Sequence, residues 1–290
     1  MKKIIAFLAG LLTLFNATWA QQKTVLKDKS LLWRISGKNM PKASYLFGTI
    51  HLICSDDFLW TDKMKESFGK SEKVCFEMDL DDPNVMIQAS MGLIDSTGKK
   101  LRDYFTPDQY KIVENYIHDS LGLEAALFEQ MKPVALLSMI GTSGVNCANP
   151  VSYEDSLMKI AQNEHKEILG LEEPKEQLDV LTSIPADTVV KQLMDAIQNN
   201  VSNDSDFQDL INAYKTQDLP RLYGLLTSSK DLGSDLGIFL DDRNKKWISR
   251  MSVKMKKSSV FFAVGAGHLY GKKGVISLLR KSGYKVEAIK

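Results

Sequence analysis

The stretch SVFFAVGAGHLYGKKG, residues 259–274, carries five apolar residues, Val260 to Val264, directly into Gly265-Ala266-Gly267-His268-Leu269. Its core returns near the other end of the chain in SYLFGTIHLI, residues 44–53, where Gly48-Thr49-Ile50-His51-Leu52 again follows an apolar run. Two Gly-x-x-His-Leu segments in one context predict two strands, each ending at a glycine that lets the backbone turn. His51 and His268 then project from strand carboxyl ends, the edge at which open α/β sheets bind ligands. If the echo has a simple cause, the two strands are neighbours in one sheet although 268 − 51 = 217 positions separate the histidines.

Working outward, SLLWRISGKN (30–39) and the strand ending at His51 read as a hairpin with a polar Gly37-Lys38-Asn39 turn. A helical pattern over residues 56–71 and a strand in KVCFEMDL (73–80) complete a strand-helix-strand unit, which places both strands parallel in one sheet. From approximately residue 82 to 250 the apolar residues recur at three- and four-residue spacing. TPDQYKIVENYIHDSLG (106–122) has a capped start, Pro107 in the first turn and Gly122 past the end. SYEDSLMKIAQNEH (152–165) is a further helix, and KEILGLEEP (166–174) a short strand and loop. After the strand of 259–265, KKGVISLLRKSG predicts a helix and YKVEAI a strand. The expected class is α+β, with α/β-like ends: one mixed sheet built from N- and C-terminal β-α-β units around a mostly helical insert, in a single domain over residues 21–290.

MKKIIAFLAGLLTLFNATWA, residues 1–20, has two lysines, an apolar run from Ile4 to Phe15 and a small-residue exit at Ala20. It reads as a signal peptide, so the expected location is periplasmic or extracellular. Losing Lys2 and Lys3 takes the formal charge from +1 to 1 − 2 = −1, which argues against nucleic acid as a partner. No later segment approaches the roughly 20 apolar residues of a membrane span, so no stable membrane insertion is expected. The three cysteines suit one disulfide and one leftover thiol. Cys75 alternates with apolar residues and reads as buried; Cys54 and Cys147 fall in loop-like stretches and are the expected pair.

Gly265–Gly274 is no phosphate loop, because Ala266 and Lys273 stand where the first glycine and the hydroxyl belong. Nor is it a dinucleotide fingerprint, because Tyr270 takes the third glycine position. Two imidazoles at neighbouring strand ends can share one metal ion, and Glu77, between Phe76 and Met78, would bring a carboxylate to the same edge. The plainer alternatives are a strand-capping role for each histidine and a salt bridge for Glu77. His118 and His165 stand in polar helix-end contexts and do not look like ligands.

YLFGTIHL, VCFEMDL, SYEDSLMKIA, KEILGLEEPKEQ, FLDDRNKKW and VFFAVGAGHLYGKKGVISLLRKSGYKV together resemble the TraB/PrgY/GumN family, which includes the TIKI-type proteases, in order along essentially the whole mature chain. The resemblance implies a divalent metal site at His51, Glu77 and His268. It also brings in Glu154, where the family usually has Asp, along with Glu172, Gln177, Arg243 and Asn244. Nitrogen and oxygen ligands without thiolate permit Mn, Co, Zn or Fe.

The expected function is an exported metal-dependent hydrolase acting on peptides or proteins. Glu154 or Glu172 would be the proton acceptor and Arg243 the stabiliser of negative charge, unless Arg243 only bridges one of those carboxylates. The alternative is a non-catalytic protein that sequesters a peptide signal, a metal or haem. The oligomeric state is left open.

Overall fold

The computed structural model describes residues 29–37, 39–143, 145, 147–199, 205–228 and 237–290. The expected signal peptide lies outside the described residues. Strands β1 (Leu32–Ser36) and β2 (Ser44–Thr49) form the expected antiparallel hairpin, with Leu32 opposite Phe47. After the short β3 (Leu52–Cys54) come α1 (Asp62–Gly69) and β4 (Lys73–Phe76). Next are α2 (Pro83–Gly92), α3 (Pro107–Asp119), α4 (Pro133–Ser143), β5 (Pro150–Ser152), α5 (Tyr153–Asn163) and β6 (Glu167–Gly170). Then follow α6 (Pro174–Thr182), α7 (Ala186–Asn199), α8 (Ser205–Lys215) and α9 (Leu219–Ser228). A π-helical stretch, Gly237–Asp242, leads into α10 (Arg243–Met255), and β7 (Val260–Gly265), α11 (Val275–Lys281) and β8 (Lys285–Ala288) close the chain.

The fold is mixed α+β, with a six-stranded sheet in the order β6-β4-β7-β2-β1-β8 and a two-stranded sheet of β3 and β5. β6, β4, β7 and β2 run parallel, β1 is antiparallel to β2, and β8 is antiparallel to β1. β2 and β7 are direct neighbours, Gly48 opposite Val264 and Thr49 opposite Gly265, so the two Gly-x-x-His segments leave the sheet side by side. Every residue of β2 and five of the six in β7 are buried, which requires cover on both faces and explains their unbroken apolar runs.

Three details differ from the sequence reading. Cys54 ends a strand rather than lying in a loop, because Leu52 to Cys54 pairs antiparallel with Ser152 to Pro150. Glu77 lies one residue past β4, not within it, which puts its side chain at the edge instead of in the pleat. The helical insert also contributes a strand to the main sheet, since β6 pairs with β4 in parallel.

Local signals explain the starts of two helices, one in the insert and one beside the site. Thr106 caps α3 by accepting from Gln109 N–H, the Gln109 side chain reciprocates, and Pro107 takes the first turn as expected. Ser152 caps α5 by accepting from Asp155 N–H, so Glu154 stands in a first turn, where the helix dipole favours a negative charge. The main hydrophobic cluster joins the sheet to α1, α5, α10, α11 and parts of α8 and α9, while Leu101, Val113, Ile117, Phe128, Leu136, Ile140 and Leu193 form a second cluster within the insert. Among the described residues, no helix is long and apolar enough to cross a membrane.

Candidate functional site

Four parallel strands end at one edge, and each delivers a polar residue there. Thr49 and His51 follow from β2, Gly265 and His268 from β7, Glu77 from β4 and Glu172 from β6. The links are short because the backbone keeps pairing past the strands: Leu171 N–H and Glu172 N–H donate to the Glu77 carbonyl at 3.1 and 2.8 Å. Gly48 is required for the close approach of β2 to the turn after β7, since a Cβ there would come within 3.1 Å of the Ala266 Cα. Together these residues form the floor of a cleft of about 580 Å³, walled by apolar side chains from α6, α8, α9 and the π-helical stretch, among them Val180, Leu210, Leu222, Leu226 and Phe239.

α10 supplies the rest. Arg243, its first residue, points its guanidinium at the floor, where Nη2 donates to Glu77 Oε2 at 2.5 Å and to Glu172 Oε1. Nε donates to both oxygens of Glu172 at 3.1 Å. Trp247 Nε1–H donates to Glu172 Oε2 at 3.1 Å, and Gln177 Nε2 lies 3.3 Å from both Glu77 Oε2 and Glu172 Oε1. The Glu172 side chain is only 2% exposed, yet its lone pairs all find donors, which is what allows a buried carboxylate.

His268 is buried against Trp247, the rings tilted at a centroid distance of 4.3 Å. Its Nδ1 lies 2.7 Å from Asn244 Oδ1, while Asn244 Nδ2 donates to the carbonyls of His268 and Lys273. The Asn244 oxygen therefore accepts, Nδ1 of His268 carries the proton, and Nε2 presents a lone pair to the cleft. That Nε2 is 3.7 Å from Glu77 Oε1 and 3.3 Å from Arg243 Nη1. Burial lowers the His268 pKa to about 4, so the ring is neutral near pH 7. Burial works against ionisation of Glu77, but the charges of His268 (when protonated) and Arg243 and the Gly265 N–H at 2.8 Å outweigh it and hold the carboxyl at about 2.

His51 stands at the mouth, its side chain 76% exposed, with Nδ1 3.7 Å from Glu154 Oε1. That carboxylate raises the His51 pKa to about 9. Thr49 Oγ1 donates to the same Glu154 oxygen at 2.7 Å. Glu154 lines a neighbouring hollow of about 360 Å³, which shares His51, Glu77 and Gln177 with the larger cleft. The two carboxylates weighed as proton acceptors are thus separated: Glu172 is saturated beneath Arg243, and Glu154 belongs to His51. Arg243 bridges Glu172, as the plainer reading of it allowed, and also Glu77.

Among the described residues, no group of three or more His, Cys, Asp or Glu side chains is arranged to hold a metal ion. The donor chemistry of Glu77 and His268 nevertheless suits a divalent ion, since an ionised oxygen, Glu77 Oε1, and an unprotonated imidazole nitrogen, His268 Nε2, lie 3.7 Å apart, the oxygen fixed by Gly265 N–H and the far side of the ring by Asn244. His118 and His165 are remote from this cleft, His118 lying in the last turn of α3 beside Asp119 and His165 in a left-handed turn after α5. Sequence reasoning passed over Thr49 and Trp247. The signal for Trp247 was its spacing, four residues after Arg243 on α10 and therefore on the same face.

The sequence profile of the TraB/PrgY/gumN family matches residues 31–288. The chain belongs to the TraB/PrgY/gumN family. Among curated proteins it is similar to Metalloprotease TIKI2 of Danio rerio, with 23% identity over 89% of this chain and 60% of the relative. It is similar also to Metalloprotease TIKI1 of Homo sapiens, with 23% identity over 89% of this chain and 61% of the relative. A Metalloprotease TIKI homolog of Nematostella vectensis is 25% identical over 90% of this chain and 67% of that protein. The chain spans about 60% of the length of the first of these relatives. No solved structure matches it.

Proposed function

We propose that this family member is an exported metal-dependent hydrolase that cleaves peptides at the edge formed by β2, β7, β4 and β6. The observation that carries the reading is the convergence of four parallel strand ends on one buried polar cluster at the floor of an apolar cleft. The names of the TIKI relatives support metalloprotease chemistry. Glu77 and His268 would hold the ion, and His51, which the resemblance adds as third ligand, would have to give up the proton that Glu154 favours on it. A divalent ion bound there supplies Lewis acidity and makes water acidic enough to react near neutral pH.

The chain's own residues account for the remaining requirements. Asn244 holds the His268 ring with Nε2 deprotonated toward the cleft, and Gly265 N–H orients Glu77. Glu154 Oε1, positioned by Thr49 and facing His51, is the proton acceptor that this geometry favours, because Glu172 has no free lone pair. The apolar wall suits a substrate residue with a large apolar side chain and excludes water from it. The alternative, capture of a peptide or small ligand without cleavage, is favoured by one observation: the ion pairs of Arg243 already satisfy Glu77 and Glu172.

The test is metal content and peptide-library hydrolysis measured together, with and without chelator, on wild type and on His51→Ala, His268→Ala, Glu77→Gln and Glu154→Gln. The hydrolase reading expects the first three to lose metal and activity. Glu154→Gln should keep metal and lose roughly 10²–10⁴ in turnover. Full metal and activity in both His variants would sink it, and a wild type that binds peptides without cleaving any favours capture.

A further inference from the structure

The Arg243 guanidinium stands at the point that Glu77 and His268 both face. Nη2 donates to Glu77 Oε2 at 2.5 Å, and Nη1 lies 3.3 Å from His268 Nε2. Glu77 Oε1, the oxygen 3.7 Å from His268 Nε2, also accepts from Gly265 N–H, and the far nitrogen of the ring, His268 Nδ1, is held by Asn244. A guanidinium nitrogen and a divalent cation need the same lone pairs, and two cations at such distances repel each other. Arg243 is held independently of this pair: Nε binds both Glu172 oxygens at 3.1 Å, Nη1 donates to the Phe239 carbonyl at 3.3 Å, and the guanidinium lies 5.0 Å from the Trp247 ring. It can therefore give up Glu77 and His268 without leaving Glu172.

We infer that Arg243 is a resident counter-cation that competes with a divalent ion for Glu77 and His268, so that Arg243 sets the metal affinity of the cleft. The inference rests on the reading of Glu77 and His268 as ligands. Its consequence is a site kept charge-compensated and folded at low metal concentration, with occupancy that follows the surrounding supply instead of saturating at trace levels. Arg243 acts here through the two ligands, as an affinity-setting residue.

The experiment titrates Mn²⁺ alone, without substrate, into the whole mature chain and reads the dissociation constant by calorimetry and the Mn²⁺-dependent rise in melting temperature. Arg243→Gln removes the competitor but strands Glu172, so the paired variant Arg243→Gln/Glu172→Gln is measured beside it. Arg243→Lys, which keeps a charge for Glu172 but cannot reach both ligands, covers the case in which the neutral variants do not fold. The double variant should bind Mn²⁺ roughly tenfold to hundredfold tighter than wild type, the equivalent of a charge-assisted hydrogen bond no longer surrendered, and Arg243→Lys about tenfold tighter. Its melting temperature without metal should fall, and Mn²⁺ should restore more of it than in wild type. Variants that bind Mn²⁺ equally or more weakly than a binding wild type overturn the inference while leaving the ligand reading intact. If neither wild type nor variants bind Mn²⁺, the ligand reading fails and the inference fails with it.

Discussion

At the scale of single residues, Asn244 shows how little freedom the site allows. It is 1% exposed, and its amide joins the His268 and Lys273 carbonyls to the His268 ring. Asn244→Ala leaves the His268 Nδ1–H and two carbonyls without their partner, and a loss of about 2 kcal/mol in a urea titration is expected. The same variant should let the imidazole change tautomer, visible in the ring-nitrogen shifts of labelled protein. Gly265 makes a contrasting case. Its backbone angles, φ −51° and ψ 133°, are open to alanine, but a Cβ would meet Glu77 Oε1 at 3.3 Å and His268 Cδ2 at 3.6 Å. Gly265→Ala should therefore change the melting temperature by no more than a few degrees while, on the proposed reading of Glu77 as a ligand, weakening Mn²⁺ binding, and an unaltered Mn²⁺ titration would overturn that reading.

At the scale of elements, one face of α10 organises the site. Arg243, Trp247 and Arg250 recur at helical spacing, the first two binding Glu172 and the third reaching the Leu171 carbonyl and Glu176. Glu176 stands in the first turn of α6 and accepts from Arg250 at 2.7 and 3.0 Å, so this pair fastens α6, a wall of the cleft, to α10. Arg250 and, more weakly, the Glu173 N–H and Lys246 hold the Glu176 carboxyl at about 2 against the opposing effect of burial. Because its folded pKa lies below the unfolded value, Glu176 binds a proton more readily in the unfolded chain. Its stabilisation is complete above the unfolded pKa of about 4.5 and disappears as pH falls through about 2. Glu176→Gln should cost about 1 kcal/mol at pH 7, discounted for the partial exposure of both partners, and only a small remainder of that near pH 2, as measured by denaturant titrations at the two pH values. The pattern of α10 was readable beforehand, but the partner strand was not, because periodicity identifies a face without saying what it meets.

Across the whole molecule, the disulfide links the small β3–β5 sheet near His51 to the insert. Cys54 and Cys147 are bonded, with Cα atoms 5.9 Å apart across 93 positions, and Cys75 is a buried free thiol. Closing so long a loop restricts the unfolded chain, and reduction should lower stability by about 2–4 kcal/mol. Burial pushes the Cys75 thiol up to about 12, so the native protein should not react with a thiol reagent at pH 8 and should show one reactive thiol once unfolded. A mass map that placed Cys75 in the bridge, or a reactive native thiol, would contradict this arrangement.

The six strands of the main sheet, the adjacency of the two Gly-x-x-His segments and the cysteine pair were legible in the chain itself, whereas the β3–β5 pairing was not. Each is written in local signals: five apolar residues before Gly265, a repeated glycine before histidine, and a cysteine set between the apolar Val74 and Phe76. These residues act through their immediate neighbours, so a single sequence records them. What the tertiary structure alone decided is how the charges are paired. Arg243, Glu77 and Glu172 are brought together from β4, β6 and α10 across as many as 166 positions, and Glu154 is set apart beside His51. Electrostatic partners are chosen by distance and burial after the strands have assembled, and no spacing along the chain carries that information.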